Sequence, residues 1–426
     1  MICRRHVIIV FSFVLLSIKP AYSNQLVVGT NATFRSIHAA LRSAIEGDTI
    51  LVNQGVYREG NIMIKMPLTL IGKGIVVVDG QDKDEVFTIM SDKVTIRHFT
   101  VRNCGSVSIK DLAGIKVLAS DDCVIDGNTV ENCSFGIYLS NTRRCRVLNN
   151  LVKGEASSDP SVGNGIHVWK CDSAFIGNNE STGQRDGIYF EFVTNTTIEK
   201  NYSHNNIRYG LHFMFSHSNG YTWNRFANNG AGVAVMYSHN VKMHHNIFEH
   251  NWGSSSYGIL LKDITDSEVE DNVFESNSAG IYMEGSNRIK VERNSFLNNG
   301  WALRVQASCT DNTISHNNFS GNTFDVSTNG ETQLNSFLNN YWDKYEGYDL
   351  NRDGYGDIPY RPVSLFSMIV EQLPPGILLL RSFMVYLLDK AEKIIPSLTP
   401  TNLIDDKPVI RMIDFKEKEI AIVTKY

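Results

Sequence analysis

A glycine followed by alternating apolar residues recurs along the middle of this chain at a spacing that leaves few folds open. It appears as Gly114-Ile115-Lys116-Val117, Gly136-Ile137-Tyr138-Leu139, Gly165-Ile166-His167-Val168 and Gly187-Ile188-Tyr189-Phe190, then at Gly210, Gly232, Gly258 and Gly280, with Ala302-Leu303-Arg304-Val305 as a last copy. Successive spacings are 22, 29, 22, 23, 22, 26, 22 and 22 residues. A second short strand ends at an asparagine in every unit, at Asn128, Asn150, Asn179, Asn201, Asn224, Asn246, Asn272, Asn294 and Asn317. Both series lengthen at the same places. Short strands of period two, split by Gly/Asn/Ser turns and without any long 3.6-residue period, describe coiled β-structure. A unit of this length cannot bury its own apolar face, so each must stack on the next.

The predicted architecture is all-β: a right-handed parallel β-helix in which residues one repeat apart lie roughly 4.8 Å from each other. Nine or so coils would form a rod of about 45 Å. The asparagines are expected to form an internal ladder of side-chain amides. A leucine-rich repeat is excluded by the missing Leu-x-x-Leu-x-Leu spacing. We divide the chain into residues 1–23, an export signal; 24–80, an N-terminal cap and first coils; 81–342, the repeats; and 343–426, a C-terminal acidic loop and an apolar, mostly helical or irregular docking region. Phe34 to Ala44 has helical apolar spacing after Thr33 as a cap and is expected to plug a first coil beginning at Asp48.

The signal reading rests on Arg4 and Arg5, the apolar run Val7 to Ile18, and Ala21-Tyr22-Ser23, with cleavage after Ser23. A dozen apolar residues are too few to span a bilayer. Loss of Arg4, Arg5 and Lys19, with no acid, moves the formal charge from −5 to −8, the wrong sign for binding nucleic acid. Six cysteines then remain, with Cys123 and Cys145 one repeat apart. Without a Cys-x-x-Cys spacing they read as small unbonded core residues, although export permits disulfides.

If coils stack in register, outward residues form columns. The column four residues after each glycine reads Leu118, Ser140, Trp169, Glu191, Met214, Met236, Lys262, Glu284; the column two after reads Lys116, Tyr138, His167, Tyr189, His212, Ala234, Leu260, Tyr282. His217 and His239 follow the methionines around the next turn. Stacking is therefore expected to gather Met214, Met236, His217, His239 and His212 on one external patch, with His244 on the next strand as a further candidate. Thioethers with imidazoles favour Cu(I), and an outward Met pair is an unusual surface choice. The bland alternative is an amphipathic patch that contacts a protein. Met243 occupies a core slot, and His245 and His250 read as turn residues.

Beyond Trp342, Asp349, Asn351, Asp353 and Asp357, with Gly354 at the sixth position, match the start of a calcium loop, but Tyr360 stands where a bidentate Glu would be. A plain Asx-rich turn fits equally. The apolar stretch from Ser364 to Leu388, with Phe366, Leu378, Leu379, Leu387 and Leu388, reads as a cap on the last coil and a docking surface for a membrane-embedded partner.

The segments Arg208-Tyr209-Gly210-Leu211-His212-Phe213-Met214 and Gly232-Val233-Ala234-Val235-Met236-Tyr237-Ser238, with Asn340-Tyr341-Trp342-Asp343, Asp353-Gly354-Tyr355-Gly356-Asp357 and Leu387-Leu388-Asp389-Lys390-Ala391-Glu392, resemble the NosD family of periplasmic β-helical proteins. The resemblance covers nearly the whole chain after residue 23. It implies work beside a membrane ABC transporter permease and ATPase and a copper chaperone, supporting assembly of the copper centres of nitrous-oxide reductase, and no catalytic residues. The copper patch is an inference from stacking, not from the resemblance. The rival reading is a polysaccharide lyase, epimerase or glycosidase, for which Asp186 and Glu191, beside Arg185, are the nearest acid pair.

Overall fold

The computed structural model describes residues 24–106, 110–155, 162–330, 334–395, 399 and 403–415; the signal-peptide reading lies outside them. The chain winds as a parallel β-solenoid whose coils each contribute three short strands. One face is a twelve-stranded sheet; the other two belong to a 25-stranded sheet joined through the long strands Thr49–Tyr57 and Thr69–Asp79. Twelve strands on the first face exceed the nine coils expected, because the early coils and the last one lack the glycine signature. The glycine itself reflects close packing between coils: a Cβ at Gly210 would come within 2.7 Å of the Gly232 carbonyl oxygen.

Most three-residue strands bury their central residue and leave the flanking two partly exposed. On the third face the buried residues form a stack of parallel rings, Phe226, Phe248, Phe274, Phe296, Phe319 and Trp342, with centroids 4.1–5.4 Å apart. The asparagine ladder is present and extends to Asn340. At each rung one side-chain oxygen accepts both the backbone N–H and the amide of the previous asparagine, as Asn224 does for Asn201 at 2.9 and 3.0 Å. A second ladder, unforeseen, runs five residues later through Asn206, Asn229, Asn251, Asn277, Asn299 and Asn322. Corners have no strand partners for their backbone groups, and these amides supply them. All six described cysteines are buried free thiols.

At the N-terminal end, α1 spans Ile37–Ser43, with Ser36 as its cap accepting from Ala39 N. The helix begins later than expected. Phe34 is committed to a bridge with Val28, and Glu59 receives the N–H groups of Ile37 and His38. The first coil also starts earlier than Asp48, because Gln25–Val28 pairs in register with Thr49 to Val52.

At the other end, α2 (Leu365–Gln372) packs on the last strand of the first face, and α3 (Phe383–Ile394) follows a 3-10 turn at Pro374–Leu379. Phe366 lies against Phe324 with ring centroids 5.9 Å apart, and Glu371 pairs with Arg304 at 2.7 Å. The chain then returns so that Asp405, fully buried, terminates the asparagine ladder. Its carboxylate accepts from Asn339 N, Asn340 N, Asn340 Nδ2 and Trp342 Nε1 at 2.9–3.1 Å. No helix of the described residues is long and apolar enough to cross a membrane.

Candidate functional site

Strands Tyr209–Met214 and Ala231–Met236 pair in parallel on the first face, and the register sets Met214 beside Met236 and His212 beside Ala234. Glu191 precedes the methionines in their column and Lys262 follows them, as the repeat predicts. Both thioethers are half-buried and point outward. Around the corner, the rings of His217 and His239 stack at 4.0 Å and 12°. Burial, then the neighbouring charge of His239, pushes the His217 imidazole below its ordinary pKa, which favours the neutral form with a free lone pair. His217 Nδ1 is buried and has no hydrogen-bond partner.

Between methionines and histidines lies a feature the sequence reading missed. Phe192, Phe215 and Tyr237 occupy the corner position of three successive coils at φ of 49–55° and remain 39–45% exposed. Their rings stack at 5.4 and 5.0 Å. Bulky residues are rare in the left-handed region, which corners normally fill with Asn, Asp or Gly. Strain of this kind concentrates at functional positions. Aligning the fifth residue after each glycine would have revealed the strip. Upstream along the same corner, a concavity of about 570 Å³ walled by Asp121, Arg143, Lys170 and Asp172 runs to Phe192 and Thr194.

Two candidate ligands lie outside the open patch. His212 shares the outward face with the methionines but is only 4% exposed, walled by the rings of Tyr189 and Tyr209, with Nδ1 3.4 Å from Asp186 Oδ2. It is therefore not part of the open patch. His244 lies on the second face, where its Nε2 is 3.2 Å from Glu268 Oε2 and its donor atoms fall within 4.8 Å of those of Glu268 and Glu270. Glu270 is already paired with Lys290 and Arg293. The next coil, not the methionines, decides where a side chain at position 244 goes.

In the acidic loop, Asp349 accepts from the N–H groups of Arg352, Asp353 and Gly354, Asn351 from Asp353, Asp353 from Tyr355, and Asp357 from Leu350. These Asx-type bonds account for the loop's shape. Of the apolar docking residues, Phe366 is core and Leu388 partly covered, whereas Leu378, Leu379 and Leu387 are exposed. Phe366 faces inward because it anchors α2 to Phe324. The acid pair of the rival enzyme reading is dispersed: Asp186 is fully buried and serves His212 and Tyr209 N, while Glu191 stands in the methionine column.

A family model described as "Periplasmic copper-binding protein (NosD)" matches residues 41–159 and 154–355. The chain belongs to the NosD family. A Pseudomonas aeruginosa protein named "Probable ABC transporter binding protein NosD" is 29% identical over 372 residues, covering 83% of this chain and 86% of its own length. A protein of the same name from Stutzerimonas stutzeri is 26% identical over 374 residues, with coverage of 83% and 85%. Among solved structures, the A-module of the Azotobacter vinelandii mannuronan C-5 epimerase AlgE6 superposes with a TM-score of 0.59 at 14% identity, covering 71% of this chain and 94% of that one. That likeness is one of fold alone. The copper in the family description suits the donors present: two soft thioethers in register, with imidazoles of the same coils whose nitrogens His212 Nε2 and His217 Nδ1 are buried without a partner.

Proposed function

We propose that this chain is an exported, non-catalytic accessory protein that handles Cu(I) at the Met214/Met236 pair while its C-terminal region docks a membrane ABC transporter. In this reading it works in the periplasm with a copper chaperone and supports assembly of the copper centres of nitrous-oxide reductase. The observation that carries it is the in-register, outward-facing methionine pair with histidines of the same coils alongside. Thioethers bind Cu(I) in preference to harder ions, so the site would discriminate against zinc, magnesium and calcium. The aromatic strip over the corner would shield the soft donors from water and present a rigid face to a delivering protein.

Anaerobic Cu(I) titration against a competing chelator tests this directly. Tight binding is expected in the wild-type chain and is expected to vanish in the Met214→Ala/Met236→Ala variant with the fold intact, since both side chains are only half-buried. Equal binding in the two proteins, or none in the wild type, would sink the assignment.

Docking rests on a second observation, supported by the transporter-binding names of the two relatives. Leu378 is 86% and Phe383 73% exposed, and Leu373, Leu379, Met384, Tyr386 and Leu387 are exposed with them. Seven large exposed apolar side chains within fifteen residues are the composition of a protein or membrane interaction site. Leu378→Asp combined with Phe383→Asp is expected to abolish co-purification with the transporter while changing stability by less than about 1 kcal/mol, as exposed positions allow. Retained co-purification would move the docking surface elsewhere.

A further inference from the structure

We propose that Asp186 holds His212 as a pre-oriented Cu(I) donor, so that the metal-holding set is His212 Nε2 with the Met214 and Met236 thioethers, and the stacked His217/His239 pair lies outside it. This deepens the copper reading and rests on it.

The Asp186 carboxylate is fully buried and turned toward the next coil, with Oδ2 3.4 Å from His212 Nδ1 and Oδ1 3.3 Å from Tyr209 N. With Nδ1 donating to this carboxylate oxygen, the lone pair of the ring falls on Nε2. That is the arrangement in which metal-binding histidines are ordinarily found: one ring nitrogen donates to a carboxylate and the other faces the ion. Here Nε2 is buried and has no partner. Folded proteins rarely leave such an atom unsatisfied without a role for it.

The surroundings point the same way. Met214 lies two residues further along the same face, roughly 6.6 Å along the strand, within reach of a flexible thioether. The next coil places Met236 beside Met214 and Ala234 beside His212, and Ala231 beside Tyr209. Neighbouring coils fill those columns with Tyr189, Leu260 and Tyr257. Two alanines therefore thin the layer on the side of His212 that leads to Met236. The rings of Tyr189 and Tyr209, at 5.0 and 4.8 Å, close the imidazole in from two other directions.

A built-in contrast lies in the same column. His167 is also buried, but the Asn164 amide nitrogen lies 3.0 Å from its Nδ1. A donor there makes Nδ1 the acceptor and leaves the proton on Nε2, and Trp169 replaces the methionine. An acid facing His212 where an amide faces His167 reverses the tautomer at a coil that carries Met. The His217/His239 pair, in contrast, stacks with its rings nearly parallel. Parallel rings direct their lone pairs side by side instead of at a common point.

Two measurements on the full mature chain decide it. Long-range proton–nitrogen NMR of metal-free protein carrying nitrogen-15 histidine, with His212 assigned by its loss in His212→Gln, is expected to show the Nδ1–H tautomer at His212 and a mixed population in Asp186→Asn. Chelator competition is expected to show Cu(I) binding weakened at least about ten-fold by His212→Gln and by Asp186→Asn, and little altered in His217→Ala/His239→Ala. An Nε2–H tautomer in the wild type would overturn the proposal. So would unchanged affinity in His212→Gln alongside lost binding in the methionine double variant, an outcome that keeps the copper reading. Absence of Cu(I) binding in the wild type overturns both.

Discussion

Replacing Asp405 with alanine is expected to lower stability by on the order of 5 kcal/mol, the largest effect anticipated for any single residue here. The fully buried Asp405 carboxylate accepts from Asn339 N, Asn340 N, Asn340 Nδ2 and Trp342 Nε1. Only Asn340 Nδ2 keeps another partner, the Ile314 carbonyl. Two buried donors, Asn340 N and Trp342 Nε1, and the part-buried Asn339 N are left without acceptors, each buried one at a cost of about 1 to 3 kcal/mol. Asp405→Asn should be milder, because one oxygen survives for the Asn340 and Trp342 donors while the amide opposes Asn339 N. Urea unfolding of the three proteins tests the ranking, and a loss below about 1 kcal/mol in Asp405→Ala would show that the returning segment does not cap the solenoid.

Asn224→Ala should come next, at about 3 to 5 kcal/mol. Asn224 accepts from Asn201 N and Nδ2 and donates to the Ile198 and Thr222 carbonyls and to Asn246 Oδ1. In the variant Asn201 N loses its acceptor, whereas Asn201 Nδ2 keeps the Ile176 and Glu199 carbonyls and Asn246 Oδ1 keeps Asn224 N. In a solenoid each coil contacts only its neighbours, so an interior break weakens two interfaces at once, whereas a terminal one lets the end fray. Hydrogen exchange should therefore rise around Asn201 and Asn246 in Asn224→Ala, and around Trp342 in Asp405→Ala. Uniform loss of protection along the rod in either variant would contradict nearest-neighbour coupling.

Much of this molecule is legible because its order is one-dimensional. The spacing between Gly210 and Gly232 determines that Met214 meets Met236, and the pairing follows it residue for residue. Met243 is core for the same reason: it stacks beside Tyr221 and Val269 in an inward column. The same logic stops at side-chain direction beyond the column. His244 shares a coil with His239, yet an adjacent coil supplies Glu268 and Glu270 and so decides its company.

The outward columns also conceal how much of them is covered. His212 occupies the outward position its spacing demands, but Tyr189, Tyr209 and Asp186 from three different positions enclose it. Phe366 belongs to an apolar run that reads uniformly, and only contact with Phe324 separates it from exposed Leu378.

What the sequence by itself determined is the period, the register and the membership of each column, because parallel stacking converts a spacing along the chain into adjacency in space. The tertiary structure alone decided which outward residues are sealed from water, which ring nitrogen of His212 faces a carboxylate, and how the ladder ends. Those outcomes depend on segments far apart in sequence, such as Asp405 returning to Asn340, and a repeat carries no information about contacts that are made only once.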